Sequence, residues 1–308
     1  MLSSFLKASL LVLMVLLCLG VPIVGAEGVV VLSWTSPTTA DLLDVFMVGS
    51  SDGWAVGRGG TIIRWDGTDW NTVTSPTTQD LWSVHMASDS DGWAVGDWGT
   101  IIHWDGTSWS NVTSPTTADL NSVFMASADD GWAVGWGGKT IIRWNGVNWS
   151  NVTSPTTAYP LDVFMVSPSD GWAVGNSGTI IRWDGTDWST VTSPTTKDLY
   201  EVFMVSTDDG WAVGWGGTII CWDGTSWSNV TSPTTGWLNS VFMVSPDDGW
   251  AVGEYGTIIR WTGTEWIPEF PTAILMSLLI SLPLVAVIIA KITLKRRRSP
   301  SLQSKTRL

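Results

Sequence analysis

An all-β fold, a six-bladed β-propeller of four-stranded blades, is what this sequence predicts, and three observations predict it. The string GWAVG begins at Gly53, Gly92, Gly131, Gly171, Gly210 and Gly249, at intervals of 39, 39, 40, 39 and 39 residues. A period near 40 is that of supersecondary units stacked side by side. Each unit holds four short runs of β-branched and aromatic residues separated by turn dipeptides such as Asp-Gly, the pattern of antiparallel hairpins. No repeat has helical periodicity, which excludes the helical solenoids.

The repeat over residues 81–115 shows each element in order. Leu81 to Ala87 alternates as a strand. Asp91-Gly92 makes a turn, and Trp93-Ala94-Val95 is a short second strand. Asp97-Trp98-Gly99 is a tight hairpin connection into the β-branched strand Thr100 to Trp104. Asp105-Gly106 turns the chain again, Trp109 to Thr113 is the fourth strand, and Ser114-Pro115 ends it, because proline cannot donate to a ladder. The extra residue of the one 40-residue interval falls near Lys139 or Tyr159-Pro160. The last repeat changes after Trp266 to Ile267-Pro268-Glu269-Phe270-Pro271, which predicts a poor fourth strand. Val29 to Thr35 precedes SPTT as fourth strands do elsewhere, so an N-terminal strand closing the last blade is expected.

Both ends carry targeting signals. In residues 1–26, Lys7, an apolar run from Ala8 to Gly20 and the small residues Val24-Gly25-Ala26 predict a secretory signal peptide. Residues 27–267 form the propeller ectodomain and 268–271 a linker. The almost wholly apolar stretch Ala273 to Ala290 predicts a transmembrane helix over residues 272–292. The basic tail 293–308, with Lys291 just before it, is expected on the cytoplasmic side. The protein is therefore expected at the cell surface, membrane-anchored, with its propeller extracytoplasmic.

The net charge of −13 conceals a division. Seven basic residues lie from Lys291 onward and all 28 acids lie before it, leaving the ectodomain near −21. Such a field repels polyanions and excludes nucleic acid as a partner. Cys221 is the only cysteine beyond the signal, so no intrachain disulfide forms in the mature chain.

Eighteen of the 24 Trp residues occupy three template positions. They follow the Gly-Trp turn (Trp54 and its equivalents), end the third strand (Trp65 and equivalents) or open the fourth (Trp70 and equivalents). Recurrence in every blade points to blade-on-blade packing, since each aromatic ring buries a large area. Trp34 sits in the N-terminal strand. The remaining aromatics depart from the template in two kinds of segment. Trp98, Trp136, Trp215 and Tyr255 lie in the hairpin between strands two and three. Trp82, Tyr159, Tyr200 and Trp237 lie at the entry to strand one. In a propeller both segments emerge on one face, which makes these eight residues the candidate ligand-binding set, suited to stacking on sugar rings. Packing between neighbouring blades is the competing reading.

Other constellations are weaker. Arg64, Arg143, Arg182 and Arg260 share one position, replaced by His103 and Cys221 in two blades, and recurrence favours a scaffold role. His85 and His103 lack a third metal ligand, so neither metal nor cofactor is expected. Paired catalytic carboxylates and a nucleophile–base pair are not recognisable, so no enzymatic activity is expected. The sequons at Asn111, Asn148, Asn151 and Asn229 lie at or beside outer strands and are candidate glycosylation sites.

The repeated DGWAVGxxGTIIRWDGTxW, first at residues 52–70, resembles the repeats of photosystem II stability/assembly factor-type propellers. It is also similar to the Asp-box repeats of sialidase-like proteins, with Asp-Gly-Thr at 66–68, 105–107, 184–186 and 223–225 as a shortened box. That box is structural in its family, and no sialidase active site can be carried over. Pro268-Glu269-Phe270-Pro271 followed by an apolar stretch and a basic cluster resembles the PEF-CTERM sorting signal of archaeal surface proteins. This resemblance implies processing by an archaeosortase. The resulting expectation is a noncatalytic surface propeller binding a glycan or protein through its aromatic face. The alternatives are a sialidase-like extracytoplasmic glycoside hydrolase and an assembly factor for a membrane complex.

Overall fold

The computed structural model describes residues 36–269 except Gly138. The expected signal peptide (1–26), residues 29–35 with Trp34, Phe270 and Pro271 of the expected sorting motif, the 272–292 segment expected to span the membrane and the basic tail lie outside the described residues. No helix among the described residues is long and apolar enough to cross a membrane.

The chain divides after Thr39 into two units. The second is a six-bladed propeller of six four-stranded antiparallel sheets, each in simple sequence order. Blade 1 comprises β1 (Leu42–Gly49), β2 (Asp52–Gly57), β3 (Ile62–Trp65) and β4 (Trp70–Thr72). The other five repeat this plan. The extra residue of the 40-residue interval lies in the turn of blade 3, where residues 136–139 replace the three-residue turn Arg58–Gly60 of blade 1. The shortened Asp boxes are local turns: Asp66 Oδ1 accepts the N–H groups of Thr68 (2.8 Å) and Asp69 (2.9 Å), and these bonds lower its carboxyl pKa.

The last blade corrects one expectation. Trp266–Pro268 forms its own fourth strand, paired with Thr257–Trp261. Glu269 N–H continues the ladder to Ile258 O (2.9 Å). Proline is tolerated because this is an outer edge strand. The place expected for the N-terminal strand is thus filled by the blade itself.

Packing runs from each blade to the next. At the joint between blades 1 and 2, Trp54, Val56 and Ile62 meet Leu81, Val84, Met86, Ala94, Ile102, Trp104 and Trp109. Four further cores repeat this across the following joints. Every such side chain removed from water contributes about 1.5–3 kcal/mol. The template Trp residues do pack blade on blade: Trp54 lies 4.7 Å from Trp104 and meets Trp109 edge-on at 5.4 Å.

The faces between blade 6 and blade 1 differ. Val45 and Met47 are 57% and 47% exposed, whereas their blade 2 equivalents Val84 and Met86 are 2% and 4%. On blade 6, Phe242, Val244, Val252 and Ile258 are likewise exposed. The central strands also form a hydrogen-bonded series. Val84, Val123, Val163, Val202 and Val241 N–H groups donate to Asp44, Ser83, Ser122, Asp162 and Glu201 of the preceding blade. In blade 1, Val45 N–H turns instead to its own Asp44 Oδ1 (2.8 Å).

Candidate binding face

The two segments bearing the off-template aromatics are hydrogen-bonded to one another in each blade. The turn between strands two and three donates a backbone N–H to the carbonyl just before strand one: Arg58 to Asp41 (2.9 Å), Asp97 to Asp80 (3.0 Å), Trp136 to Asp119 (2.8 Å), Asn176 to Tyr159 (3.1 Å), Trp215 to Asp198 (2.9 Å) and Glu254 to Trp237 (3.0 Å). A second bond crosses to the next blade. Gly59, Trp98 and Ser177 N–H groups donate to the carboxylates of Asp80, Asp119 and Asp198 (2.7–2.8 Å). An aspartate placed two residues after Thr-Thr thus clamps the preceding blade's turn.

Six of the eight candidate residues enter side-chain contacts here. Trp136 stacks parallel on Tyr159 of the next blade at 5.7 Å and 4°. Trp215 packs on Trp237 of the next blade at 4.5 Å, and Tyr200 reaches Trp237 at 6.1 Å. Trp82 donates its indole N–H to Asp97 Oδ1 (2.6 Å) and lies 5.8 Å from the Arg58 guanidinium. Arg58 in turn pairs with Asp80 at 2.8 Å. Packing between blades therefore accounts for part of the set, although Trp136, Tyr159 and Trp215 remain exposed.

Trp98 and Tyr255 are different. Each sits at the centre of its turn, Asp97–Gly99 and Glu254–Gly256, in the left-handed region with φ 58° and 57°. Blades 1 and 5 place Gly59 and Gly216 there, at φ 66° and 62°, and blade 4 places the small Ser177 there at φ 57°. A residue with a Cβ is disfavoured in this conformation by about 1–2 kcal/mol. The side chains return little burial, being 71% and 96% exposed. The face is electronegative: Asp198 and Glu254, together with partial burial as the first cause, raise the Tyr200 hydroxyl pKa.

The opposite edge holds the shared arginines. Arg64, Arg143, Arg182 and Arg260 pair with Asp52, Asp130, Asp170 and Asp248 at 2.8–2.9 Å. Arg64 lies 4.9 Å from Trp54 of its own blade and 5.6 Å from Trp104 of the next, which makes it a blade-to-blade rivet. The sequons are exposed. Asn111, Asn151 and Asn229 donate their amide N–H to the carbonyls of Pro76, Pro115 and Pro194 (3.1–3.2 Å).

The sequence reading missed the central channel. Strand-one residues Phe46, His85, Phe124, Phe164, Phe203 and Phe242 form a run of rings 4.3–5.2 Å apart. Burial pushes the His85 pKa down to about 4. Beside them stand the carboxylates of Asp44, Asp162 and Glu201. Burial, opposed by hydrogen bonds, raises Asp162 to about 6. Burial and then the Asp162 charge raise Glu201 to about 8. The available signal was an acid within an otherwise apolar strand. No cluster of metal-ligating side chains occurs among the described residues.

This fold is that of a repeat-built β-propeller. No family model and no curated protein matches the chain. Among solved structures it is similar to one described as YCF48 bound to D1 peptide, at 22% identity and TM-score 0.63, covering 76% of this chain and 83% of the other. The WD40 β-propeller domain of Doa1 aligns at 17% identity and TM-score 0.64, covering 76% and 84%. YCF48 from Cyanidioschyzon merolae aligns at 15% and 0.55, covering 74% and 97%. At these identities the likeness concerns the fold.

Proposed function

We propose that this protein is a noncatalytic binding scaffold. It is displayed outside the cell, held at the membrane by residues 272–292, and engages a glycan or protein through the aromatic face. The observation that carries this reading is the pair Trp98 and Tyr255, whose rings are held out into solvent from a backbone conformation that disfavours them. Strain retained without a packing return points to use by a ligand. Trp136, Tyr159 and Trp215 extend the same surface with flat exposed rings, and stacking on such rings suits sugars and peptide side chains alike. The similarly folded YCF48 bound to D1 peptide favours a protein ligand as the second form of the reading. The test is binding of the full chain to isolated cell-envelope material. Replacing Trp98, Trp136 and Trp215 by Ala should abolish binding and leave the fold intact. Retained binding refutes the site.

A further inference from the structure

We propose that the joint between blades 2 and 3 is a binding site for an alkylguanidinium group. It lies at the edge opposite the aromatic face, about 17 Å away along a six-residue strand, and is independent of that face.

Four blades show what this position holds when it is filled from within. The guanidinium of Arg64, Arg143 or Arg182 caps a pair of indoles in contact at 4.7–4.8 Å, 4.9–5.0 Å from its own blade's Trp and 5.4–5.8 Å from the next blade's. Arg260 lies 5.2 Å from Trp250. In each case a carboxylate at the start of strand two binds the cation. Where the arginine reaches the next blade's Trp, that Trp is buried: Trp104, Trp183 and Trp222 are 4–6% exposed.

Blade 2 has His103 instead. Its shorter ring lies against Trp93 at 4.3 Å and reaches Asp91 with Nε2 at 2.7 Å, but it does not fill the space toward Trp144. An open groove of about 440 Å³ remains, lined among others by Trp93, His103, Trp144, Asp91, Asp105 and Asp129. Trp144 is only partly buried. The joint between blades 5 and 6 supports the cause. There Cys221 replaces the arginine and Trp261 is again only partly buried. Burial, and then Asp247, raise the Asp209 pKa in the absence of that arginine.

The groove thus keeps the indole pair that a guanidinium caps in the sister blades, with the carboxylates of Asp105 and Asp129 beside it, while the imidazole of His103 covers Trp93 and Asp91. A planar, weakly hydrated cation satisfies the indoles and the acids together. An arginine side chain of a partner, or a small free alkylguanidinium, presents this chemistry.

The test is isothermal titration of the full chain with methylguanidinium, using methylurea as the neutral isostere. It is carried out in a Cys221→Arg background so that blade 2 alone of the six lacks arginine. Saturable binding of methylguanidinium, with none of methylurea, is expected. His103→Arg restores the sister-blade residue and should weaken binding at least tenfold. Asp91→Asn should weaken it, and His103→Ala should retain it. An arginine-containing dipeptide amide binding as tightly as methylguanidinium identifies a peptide source, and exclusion of the dipeptide identifies a free cation. Equal binding by His103→Arg, or no binding with the fold intact by calorimetry, overturns the proposal.

Discussion

Replacing Trp98 and Tyr255 together by glycine separates a binding role from a structural one. Both residues lie at φ near +57° with their rings largely in solvent, so the substitutions remove little buried area. Relief of the left-handed conformation returns about 1–2 kcal/mol per site. The greater freedom of glycine in the unfolded chain takes back about 0.5–1 kcal/mol. The net gain is about 0–1.5 kcal/mol per site, and each kcal/mol is worth about 2–4 °C in Tm for a domain of this size. Calorimetry should therefore show an unchanged or higher Tm. In the same sample, affinity for envelope material should fall by about 30-fold or more, since truncating a Trp or Tyr anchor costs about 2 kcal/mol. A loss of stability beyond about 2 kcal/mol means that the rings are structural. Unchanged affinity means that the face does not bind. Either result refutes the reasoning.

Two further outcomes follow from the channel and from the joints. Glu201, with a pKa raised to about 8, and Asp162, raised to about 6, hold protons in the folded protein that ordinary carboxyls release near pH 4. The stability these two groups contribute is fully present below about pH 4 and is lost as pH rises through 6 and 8, whereas the lowered pKa values of His85 and Asp66 remove stability in acid; Glu201→Gln should flatten the loss on the alkaline side in melting scans and raise Tm at pH 9. Met86→Ala should cost about 2–5 kcal/mol as a buried core truncation, while the equivalent Met47→Ala, half exposed on the outer face of blade 1, should cost about 1 kcal/mol or less in urea titrations.

Repetition made most of the fold legible. A turn, a β-branched strand or a joint tryptophan that occurs six times has one structural meaning, and the Trp54, Trp65 and Trp70 positions have it. The sixth blade's own strand was not legible, because Pro268 reads as a break although an edge strand does not need its N–H. The exposed faces of blades 1 and 6 were not legible either: Val45 and Val84 occupy the same position of the repeat, and their burial is set by which blade packs against them. The hairpin bonds from Arg58 to Asp41 and their equivalents join the two segments that the aromatic pattern singled out. The sequence could not say that Trp215 and Trp237 pack together while Tyr255 stands free of burial, since this depends on the angle between blades. His103 read as half of an incomplete metal site. Its meaning emerged only beside the arginines that fill the same place in four other blades.

Site-specific photo-crosslinking in intact membranes tests the central claim most directly. A photoreactive phenylalanine analogue at position 98 or 255 should capture a single class of ligand. The same analogue at Thr225, in a turn on the opposite edge, should capture none of it. Equal capture from Thr225, or no capture from either aromatic position in a folded, surface-exposed protein, would contradict a binding role for this face.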